Sequence, residues 1–315
     1  LALKRWPFER IHGSRDYFIV DFEKLSFEII PVLNITKSEE AKNITDISPL
    51  HVDWVNKNLT EKMKEDVMVA KQFCRANNLY GAETYIKGLH GYALEILIYI
   101  YGSFENMIKN VAKWKNNLVI NSSKNEFVSK QEFPLTLIDP VNPKRNATAS
   151  LSREKLEHFI SICREFSKSK SLRLFEVKEV NKKQFNIILE ATPIKGFSDI
   201  SGTKVLKVFE FITRKLHEEG FIVEKKYWEF GNKCYLYFRI ENKTIQKYKK
   251  HLGPPIKLIS DLEKFRKKYG GCKIEKGRAY VMIKRRHYRI KDFVSHVIKE
   301  SEVKNKIRFI RIKKC

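Results

Sequence analysis

The apolar stretch between Gly88 and Gly102 is the feature that most constrains how this chain can fold. Apolar side chains recur on one helical face of the stretch, at Leu89, Tyr92, Ala93, Ile96, Leu97 and Tyr101. This spacing predicts a core helix, and the helical pattern of residues 52–114 around it predicts three or four packed helices. Glu95 is the notable charge inside the apolar helix, where an acid usually caps a helix or pairs with a cation.

Residues 12–31 precede this bundle and predict a β-hairpin. The segment from Leu25 to Ile30 alternates with a period of two, and Pro31 ends the strand. Glu28 lies within this apolar run, so its carboxylate faces either solvent or a metal ion.

The pair Ser48-Pro49 predicts the start of a helix, with His51 in its first turn. An imidazole beside the unpaired N–H groups of a helix start suits an anion such as a triphosphate. A surface or packing role for His51 is the alternative.

Two longer helices are predicted by their apolar stripes. The first ends at Asn77-Asn78 and has Lys71 beside its stripe of Met63, Val67, Val69, Ala70, Phe73 and Cys74. The second covers residues 152–168, with a stripe of Leu156, Phe159, Ile160, Cys163 and Phe166.

The second half of the chain predicts a mixed architecture. A strand, a helix and two strands follow one another at residues 184–191, 203–218, 221–230 and 234–240. This order, with a Gly231-Asn232 hairpin turn, indicates a small α+β layer. Beyond it the pattern predicts a hairpin through Gly277 and helices over residues 243–251, 257–269 and 290–299.

The net charge of +25 is unevenly distributed along the chain. Residues 241–315 hold 24 Lys and Arg against 7 Asp and Glu, and so carry +17 of this charge. A basic field of this size predicts a polyanionic partner that offers phosphate groups. Aromatic residues interleaved with the cations, such as Tyr269 and Tyr288, can stack on bases or sugars. A solvated basic surface is the alternative.

The composition also bears on compartment and membrane association. Five cysteines are scattered without a CxxC pair, which indicates reduced thiols of a cytoplasmic protein. The longest apolar run, Ile96 to Tyr101, is much shorter than the roughly 18 residues of a membrane span, so we expect no membrane association.

Several short motifs are ordered along the chain. They are Phe27-Glu28-Ile29-Ile30-Pro31, Asp46-Ile47-Ser48-Pro49-Leu50-His51, Lys71 with Tyr80-Gly81-Ala82-Glu83, Asp139 to Asn146 with Arg145, Gly253-Pro254-Pro255, and Gly277-Arg278-Ala279-Tyr280. Together they resemble the motifs of archaeal, class I CCA-adding enzymes, a family of template-free tRNA nucleotidyltransferases. The resemblance extends over nearly the whole chain.

The resemblance implies an α+β, multidomain fold. Its parts would be a remnant of a polymerase-β-like nucleotidyltransferase head at residues 1–56, a helical, nucleotide-binding neck at 57–175, a small α+β body at 176–248, and a basic α+β, tRNA-binding tail at 249–315. It places the family's Gly-Ser loop and first two carboxylates before Leu1. We therefore expect either an N-terminal truncation or a second chain that supplies the missing part, and no catalysis by this chain alone.

The resemblance also implies roles for individual residues. Glu28 would be the third catalytic carboxylate and a ligand of Mg²⁺, although the family pattern has Asp at this position. His51, Lys71 and Tyr80 would bind the triphosphate of CTP or ATP, and Arg145 would read the incoming base. The reaction would be two-metal phosphoryl transfer to the tRNA 3′ end.

The basic region would bind the acceptor and elbow of tRNA through its phosphates. The candidate tRNA-binding residues are Lys249, Lys250, Arg266, Lys267, Lys268, Lys284, Arg285, Arg286 and Arg289. Two alternatives stay open: a non-catalytic RNA-binding protein, and another template-free nucleotidyltransferase such as a poly(A) polymerase. A homodimer is also left open.

Overall fold

The computed structural model describes residues 6–12, 15–23, 25–115, 117–121, 132–194, 198–231 and 233–314. The chain divides into two compact units, with the boundary between Glu179 and Val180. Each unit has its own hydrophobic core.

The first unit begins with a three-stranded antiparallel sheet of β1 (Phe8–Ile11), β2 (Tyr17–Phe22) and β3 (Leu25–Ile29). The pairing of β2 with β3 confirms the predicted hairpin. The buried carboxylate of Asp46 accepts hydrogen bonds from the Arg15 guanidinium and from the backbone N–H of Leu33. These bonds join the sheet to the short 3₁₀ helix that carries Asp46.

The described residues of this unit also form five α-helices and a parallel strand pair. They are α1 (Ser48–Asn58), α2 (Glu61–Ala76), α3 (Gly91–Tyr101), α4 (Phe104–Val111), α5 (Arg153–Ser169), β4 (Leu118–Ile120) and β5 (Leu135–Leu137). Helix α3 is the predicted apolar helix. His90 caps its N-terminus by accepting from the Ala93 N–H, and Gly102, with a φ of 79°, ends it.

The core of the first unit forms between α2, α3, α4 and α5. The stripe predicted for α5 is buried throughout, whereas Val69 in the stripe predicted for α2 is 39% exposed. Phe73 is fully buried and packs against Phe104, Phe166 and Phe175, with ring centroids 5.3–5.7 Å apart. This aromatic cluster fixes α2, and with it Lys71, relative to the other helices.

The second unit is built on an antiparallel sheet of order β12-β6-β8-β7. Its strands are β6 (Ile187–Pro193), β7 (Val223–Glu229), β8 (Cys234–Ile240) and β12 (Ile307–Lys314). The helices α6 (Ser198–Glu219) and α8 (Ile290–Val297) contribute to the same core, and the short α9 (Ser301–Lys304) leads into β12. The predicted strand–helix–strand–strand order is confirmed, although Asn232 of the predicted turn lies outside the described residues.

A second antiparallel sheet carries much of the basic sequence. It has the order β10-β11-β9 and consists of β9 (Tyr248–Pro255), β10 (Lys273–Glu275) and β11 (Arg278–Lys284), with α7 (Ile259–Tyr269) packed against β9. The prediction of a helix over residues 243–251 is therefore wrong. This segment pairs with β11, and cross-strand pairing outweighs local helix propensity.

The architecture is thus a mixed α+β one with several sheets. The division into head, neck, body and tail stays a prediction, and the last strand, β12, pairs with β6 of the segment assigned to the body. Among the described residues no helix combines the length and apolarity needed to cross a membrane. Cys74, Cys163 and Cys234 are buried free thiols, as predicted.

Replacing Phe73 with Ala should destabilise the first unit by about 3–5 kcal/mol, because the change leaves a cavity inside the aromatic cluster. The exposed Met68 on the same helix provides the control, and Met68→Ala should change the free energy of unfolding by less than about 0.5 kcal/mol. Urea denaturation of the intact chain measures both. Equal losses in the two variants would contradict the assigned core.

Candidate functional site

The first turn of α3 is the point at which two predicted site residues meet. A Cβ atom placed on Gly91 would lie 3.1 Å from Cε and 3.4 Å from Nζ of Lys71, and 3.3 Å from the hydroxyl of Tyr80. An ammonium group and a phenol hydroxyl therefore converge on a helix N-terminus, whose backbone N–H groups favour negative charge.

The loop between α2 and α3 holds Tyr80 in this position. The N–H of Gly81 donates to the carbonyl of Leu89, and the N–H of Leu89 donates to the carbonyl of Leu79. Gly81 has a φ of 125°, and a Cβ on Gly88 would lie 2.2 Å from the Leu79 carbonyl oxygen. Neither position accepts a side chain without movement of the loop, so both glycines keep Tyr80 beside α3.

Lys71 forms an ion pair with Glu95, with Nζ 3.0 Å from Oε1. Their side chains are 19% and 20% exposed, so the pair lies at the boundary between core and surface. This contact confirms that Glu95 pairs with a cation. Because an ammonium group has three donors, Lys71 can contact Glu95 and still donate to a ligand at the start of α3.

A fully buried carboxylate, that of Asp139, joins the other two predicted nucleotide-binding residues. Its Oδ2 lies 3.0 Å from Nε2 of His51 and 2.9 Å from a terminal nitrogen of Arg145. Its Oδ1 accepts from the hydroxyl of Tyr92 at 3.0 Å and from the N–H of Val141 at 2.9 Å. One carboxylate thus fixes side chains from α1, from α3 and from its own loop.

The partners of Asp139 determine its charge. Burial raises the pKa of this carboxyl, but the hydrogen bond and charge of His51, the Val141 N–H and the Arg145 guanidinium outweigh burial and bring the pKa down to about 2. Burial, and then the charge of Asp139, raise the pKa of Tyr92, so its hydroxyl stays protonated and donates. Asp139 is therefore an anion that accepts hydrogen bonds on both oxygens.

His90 and His51 occupy adjacent places beside Tyr92. The His51 ring stacks on Tyr92 with centroids 4.0 Å apart, and the His90 ring lies parallel to Tyr92 at 6.4 Å. Nε2 of His90 donates to the carbonyl of Ala147 at 2.7 Å, while burial and the charge of Arg145 lower the pKa of His90. His90 is thus a neutral ring that ties α3 to the loop after Arg145.

All four predicted nucleotide-binding residues therefore lie around one end of α3. Tyr92 follows Gly91 directly, so the cluster at Asp139 adjoins the position where Lys71 and Tyr80 meet. The sequence pattern gave Asp139 no role in the site and placed Tyr92 only on the apolar face of α3. A signal was present, because an Asp before Pro that opens a turn-rich loop often accepts bonds from the backbone that follows it.

Glu28 stands apart from this cluster. It lies on β3 opposite Ile19, and its side chain is exposed. Among the described residues no group of three or more His, Cys, Asp and Glu is placed to hold a metal ion. An exposed carboxylate can supply one oxygen ligand, and Mg²⁺ is usually held by one or two carboxylates together with substrate phosphates and waters.

The candidate tRNA-binding residues lie on three elements of the second unit. Lys249 and Lys250 are on β9, Arg266, Lys267 and Lys268 are in the last turn of α7, and Lys284, Arg285, Arg286 and Arg289 lie between the end of β11 and the start of α8. Several of them have partners: Lys249 and Arg285 contact Glu219, and Lys250 contacts Glu275 and lies over the ring of Tyr280. The cations on α7 are exposed.

Comparisons with known proteins identify the family. The family described as "tRNA nucleotidyltransferase, second domain" matches residues 65–176, which include Lys71, Tyr80 and Arg145. The family described as "CCA-adding enzyme, C-terminal domain" matches residues 194–308. The class is therefore that of the tRNA nucleotidyltransferases.

Individual relatives identify the family within this class. A CCA-adding enzyme of Nanoarchaeum equitans is 36% identical over 88% of this chain and 72% of the relative. Those of Methanosarcina acetivorans and Saccharolobus islandicus are 29% and 28% identical over 91% of this chain, and over 67% and 70% of the relatives. The chain belongs to the family of CCA-adding enzymes. A cytoplasmic RNA terminal U-transferase aligns with a TM-score of only 0.43 at 10% identity, over 57% of this chain and 75% of that chain. A likeness this weak indicates neither the fold nor the function of this chain.

Replacing Asp139 with Asn should change how stability depends on pH. Because the pKa of Asp139 is lowered to about 2 from an unfolded value of about 3.9, its ionisation stabilises the fold above about pH 4. This contribution, about 2–3 kcal/mol, is lost as the pH falls towards 2. The difference in unfolding free energy between the wild type and Asp139→Asn should shrink by that amount.

Urea denaturation between about pH 5 and pH 2 measures this difference. The exposed Asp53 on α1 provides the matched control, and Asp53→Asn should follow the wild type at every pH. Parallel curves for the wild type and Asp139→Asn would show that Asp139 is not held as an anion.

Proposed function

We propose that this chain takes part in template-independent addition of CCA to the 3′ end of tRNA, with CTP and ATP as substrates. The observation that carries the proposal is the convergence of Lys71, Tyr80, His51 and Arg145 around one end of α3, in a member of the CCA-adding enzyme family. The cations and N–H groups there suit a nucleoside triphosphate.

In this proposal the triphosphate binds at the start of α3. Lys71 and the Tyr80 hydroxyl donate to phosphate oxygens, and the backbone N–H groups of the first turn add donors. Glu95 keeps the Lys71 ammonium in place through its 3.0 Å contact. His51 lies at the adjoining edge, where its ring is held by Asp139 and Tyr92.

In this proposal Arg145 binds the base of the incoming nucleotide. Only one of its terminal nitrogens is within hydrogen-bond distance of Asp139, so the guanidinium keeps donors for the acceptors on a base edge. Because the reaction has no nucleic-acid template, selection of CTP and ATP has to come from protein groups such as this one. We expect Arg145→Lys to bind nucleotides with less discrimination.

The remaining parts of the proposal concern RNA and metal. The cations of β9, α7 and the segment after β11 bind tRNA phosphates, which are the same in every tRNA. Glu28 would supply one carboxylate ligand of Mg²⁺, and the bound ion would stabilise charge on the transferred phosphoryl group. A cytoplasmic location and a homodimer stay predictions.

The proposal is tested with protein expressed from the full reading frame that contains this chain. In the presence of Mg²⁺, labelled CTP and ATP, a tRNA that lacks CCA should gain C, C and A. Glu28→Gln should abolish addition and leave tRNA affinity unchanged, because the change removes a metal ligand and no phosphate contact. Glu39→Gln alters another exposed carboxylate and should retain activity.

Other outcomes identify the alternatives. Addition of A alone to many RNAs would indicate a poly(A) polymerase. Tight tRNA binding without addition, under conditions in which a related CCA-adding enzyme is active, would indicate a non-catalytic RNA-binding protein. Full activity of Glu28→Gln would remove Glu28 from the metal site.

Gly91→Ala provides a direct test of the triphosphate position. The added methyl group crowds the ends of Lys71 and Tyr80, which are flexible and can move aside. Affinity for CTP and ATP should fall by about tenfold, which corresponds to about 1.4 kcal/mol. Stability should be unchanged or higher, because Ala favours a helix more than Gly does.

Equilibrium dialysis of labelled CTP against this chain measures the affinity, and urea denaturation measures the stability. Gly231 has ordinary surroundings and no positive φ, so Gly231→Ala is the control and should bind CTP as the wild type does. Unchanged affinity in Gly91→Ala would place the triphosphate elsewhere.

A further inference from the structure

The second unit contains a cavity of about 250 Å³. The C-terminal part of α6, the start of β9, the segment after β11, and α8 line it. Its wall is rich in nitrogen-bearing side chains: Lys249, Lys284, Arg285, Arg286, His287 and His296. The residues that line the cavity all belong to the second unit.

The acidic side chains of this wall already have cationic partners. Glu219 accepts from Arg285 at 2.6 Å and from Lys249 at 3.1 Å, one on each carboxylate oxygen. Burial raises the pKa of Glu219, but the hydrogen bonds and charges of Arg285 and Lys249 outweigh burial and lower this pKa below its usual value. Glu300 lies 3.2 Å from Lys215. Among the described residues neither Lys284 nor Arg286 has an ion-pair partner, so the wall keeps an excess of positive charge.

Two buried nitrogens of the wall lack hydrogen-bond partners within the described part of the chain. They are Nε of Arg285, whose side chain is 14% exposed, and Nε2 of His287. A buried polar group without a partner destabilises the fold. A guanidinium nitrogen can only donate, so the partner that Arg285 lacks is an acceptor.

The size of the cavity limits what that acceptor is. A water molecule occupies about 30 Å³ in the liquid, so a cavity of 250 Å³ holds more than one bridging water. The nearby charges of Lys284 and Arg286 favour an anion over a cluster of neutral waters. A tetrahedral oxyanion offers oxygens to several donors at once, which suits nitrogens that come from different elements.

We propose that this cavity binds one phosphate group through Nε of Arg285 and Nε2 of His287, with Lys284 and Arg286 at its mouth. An Nε2–H tautomer of His287 donates to the phosphate. The His287 ring lies 4.8 Å from the ring of His296, which limits its movement. The inference rests on the proposed function only for the source of the phosphate, which is the bound tRNA.

The first experiment uses inorganic phosphate as the probe and calorimetric titration of the full chain. His287→Ala removes a charge-assisted hydrogen bond and Arg286→Ala removes a positive charge at the mouth, so each should lower phosphate affinity by at least about tenfold. The exposed residues Arg308 on β12 and His217 on α6 provide controls outside the cavity. Arg308→Ala and His217→Ala should bind phosphate as the wild type does.

The second experiment identifies the source with tRNA that carries either a 5′-monophosphate or a 5′-hydroxyl. Arg286→Ala should lower tRNA affinity by about tenfold and reduce the slope of log affinity against log salt by about 1. A loss confined to the 5′-phosphorylated tRNA identifies the terminal phosphate, and an equal loss with both identifies a backbone phosphate. Unchanged affinity for both tRNAs, with weakened inorganic phosphate binding, would overturn tRNA as the source.

Equal phosphate affinity in all four variants and the wild type would overturn the site itself. If His287→Ala fails to fold, as judged by its circular dichroism, Arg286→Ala decides alone, because Arg286 is exposed. Failure of the proposed function is a separate result: wild-type protein would then add no nucleotide to tRNA. Failure of this inference alone leaves CCA addition by the wild-type protein intact.

Discussion

The buried carboxylate of Asp139 is the constraint on which the arrangement of the candidate site depends. A carboxylate without water is stable only where donors surround it. Here the donors are His51, Tyr92, Arg145 and the N–H of Val141, and they come from segments far apart in the sequence. Any movement of α1 or of the loop against α3 therefore leaves a charge unpaired. The requirement to satisfy one anion fixes three side chains that face the same end of α3.

Local pattern was sufficient for the scaffold of this arrangement. The spacing of apolar residues predicted α3, α5 and α6. The local pattern gave the wrong element where pairing with a distant segment determines the secondary structure. Residues 248–255 form a strand because they pair with β11, and their own sequence does not indicate this partner. The role of Asp139 was missed for the same reason, since two of its partners lie 88 and 47 residues away.

The family resemblance identified candidate site residues that the local sequence pattern could not group. The choice of His51, Lys71, Tyr80 and Arg145 came from motifs, and periodicity alone gave no reason to group them. The structure brings these four together, and it separates Glu28, which lies exposed on β3. The family motifs identify the residues that would bind the nucleotide. The supporting residues, such as Tyr92 and Glu95, are identified only by the structure, because their role is to hold those residues in place.

The candidate nucleotide-binding cations and the cations of α7 differ in their partners, and the difference matches their proposed ligands. Lys71 pairs with Glu95, and Arg145 pairs with Asp139. Such partners restrict the side chains before a ligand arrives, so that less conformational entropy is lost on binding. Selection between similar nucleotides requires this rigidity, because discrimination depends on donors that do not shift to suit the wrong base. The exposed cations of α7 are less restrained, which suits phosphates that are identical in every tRNA and need charge more than geometry.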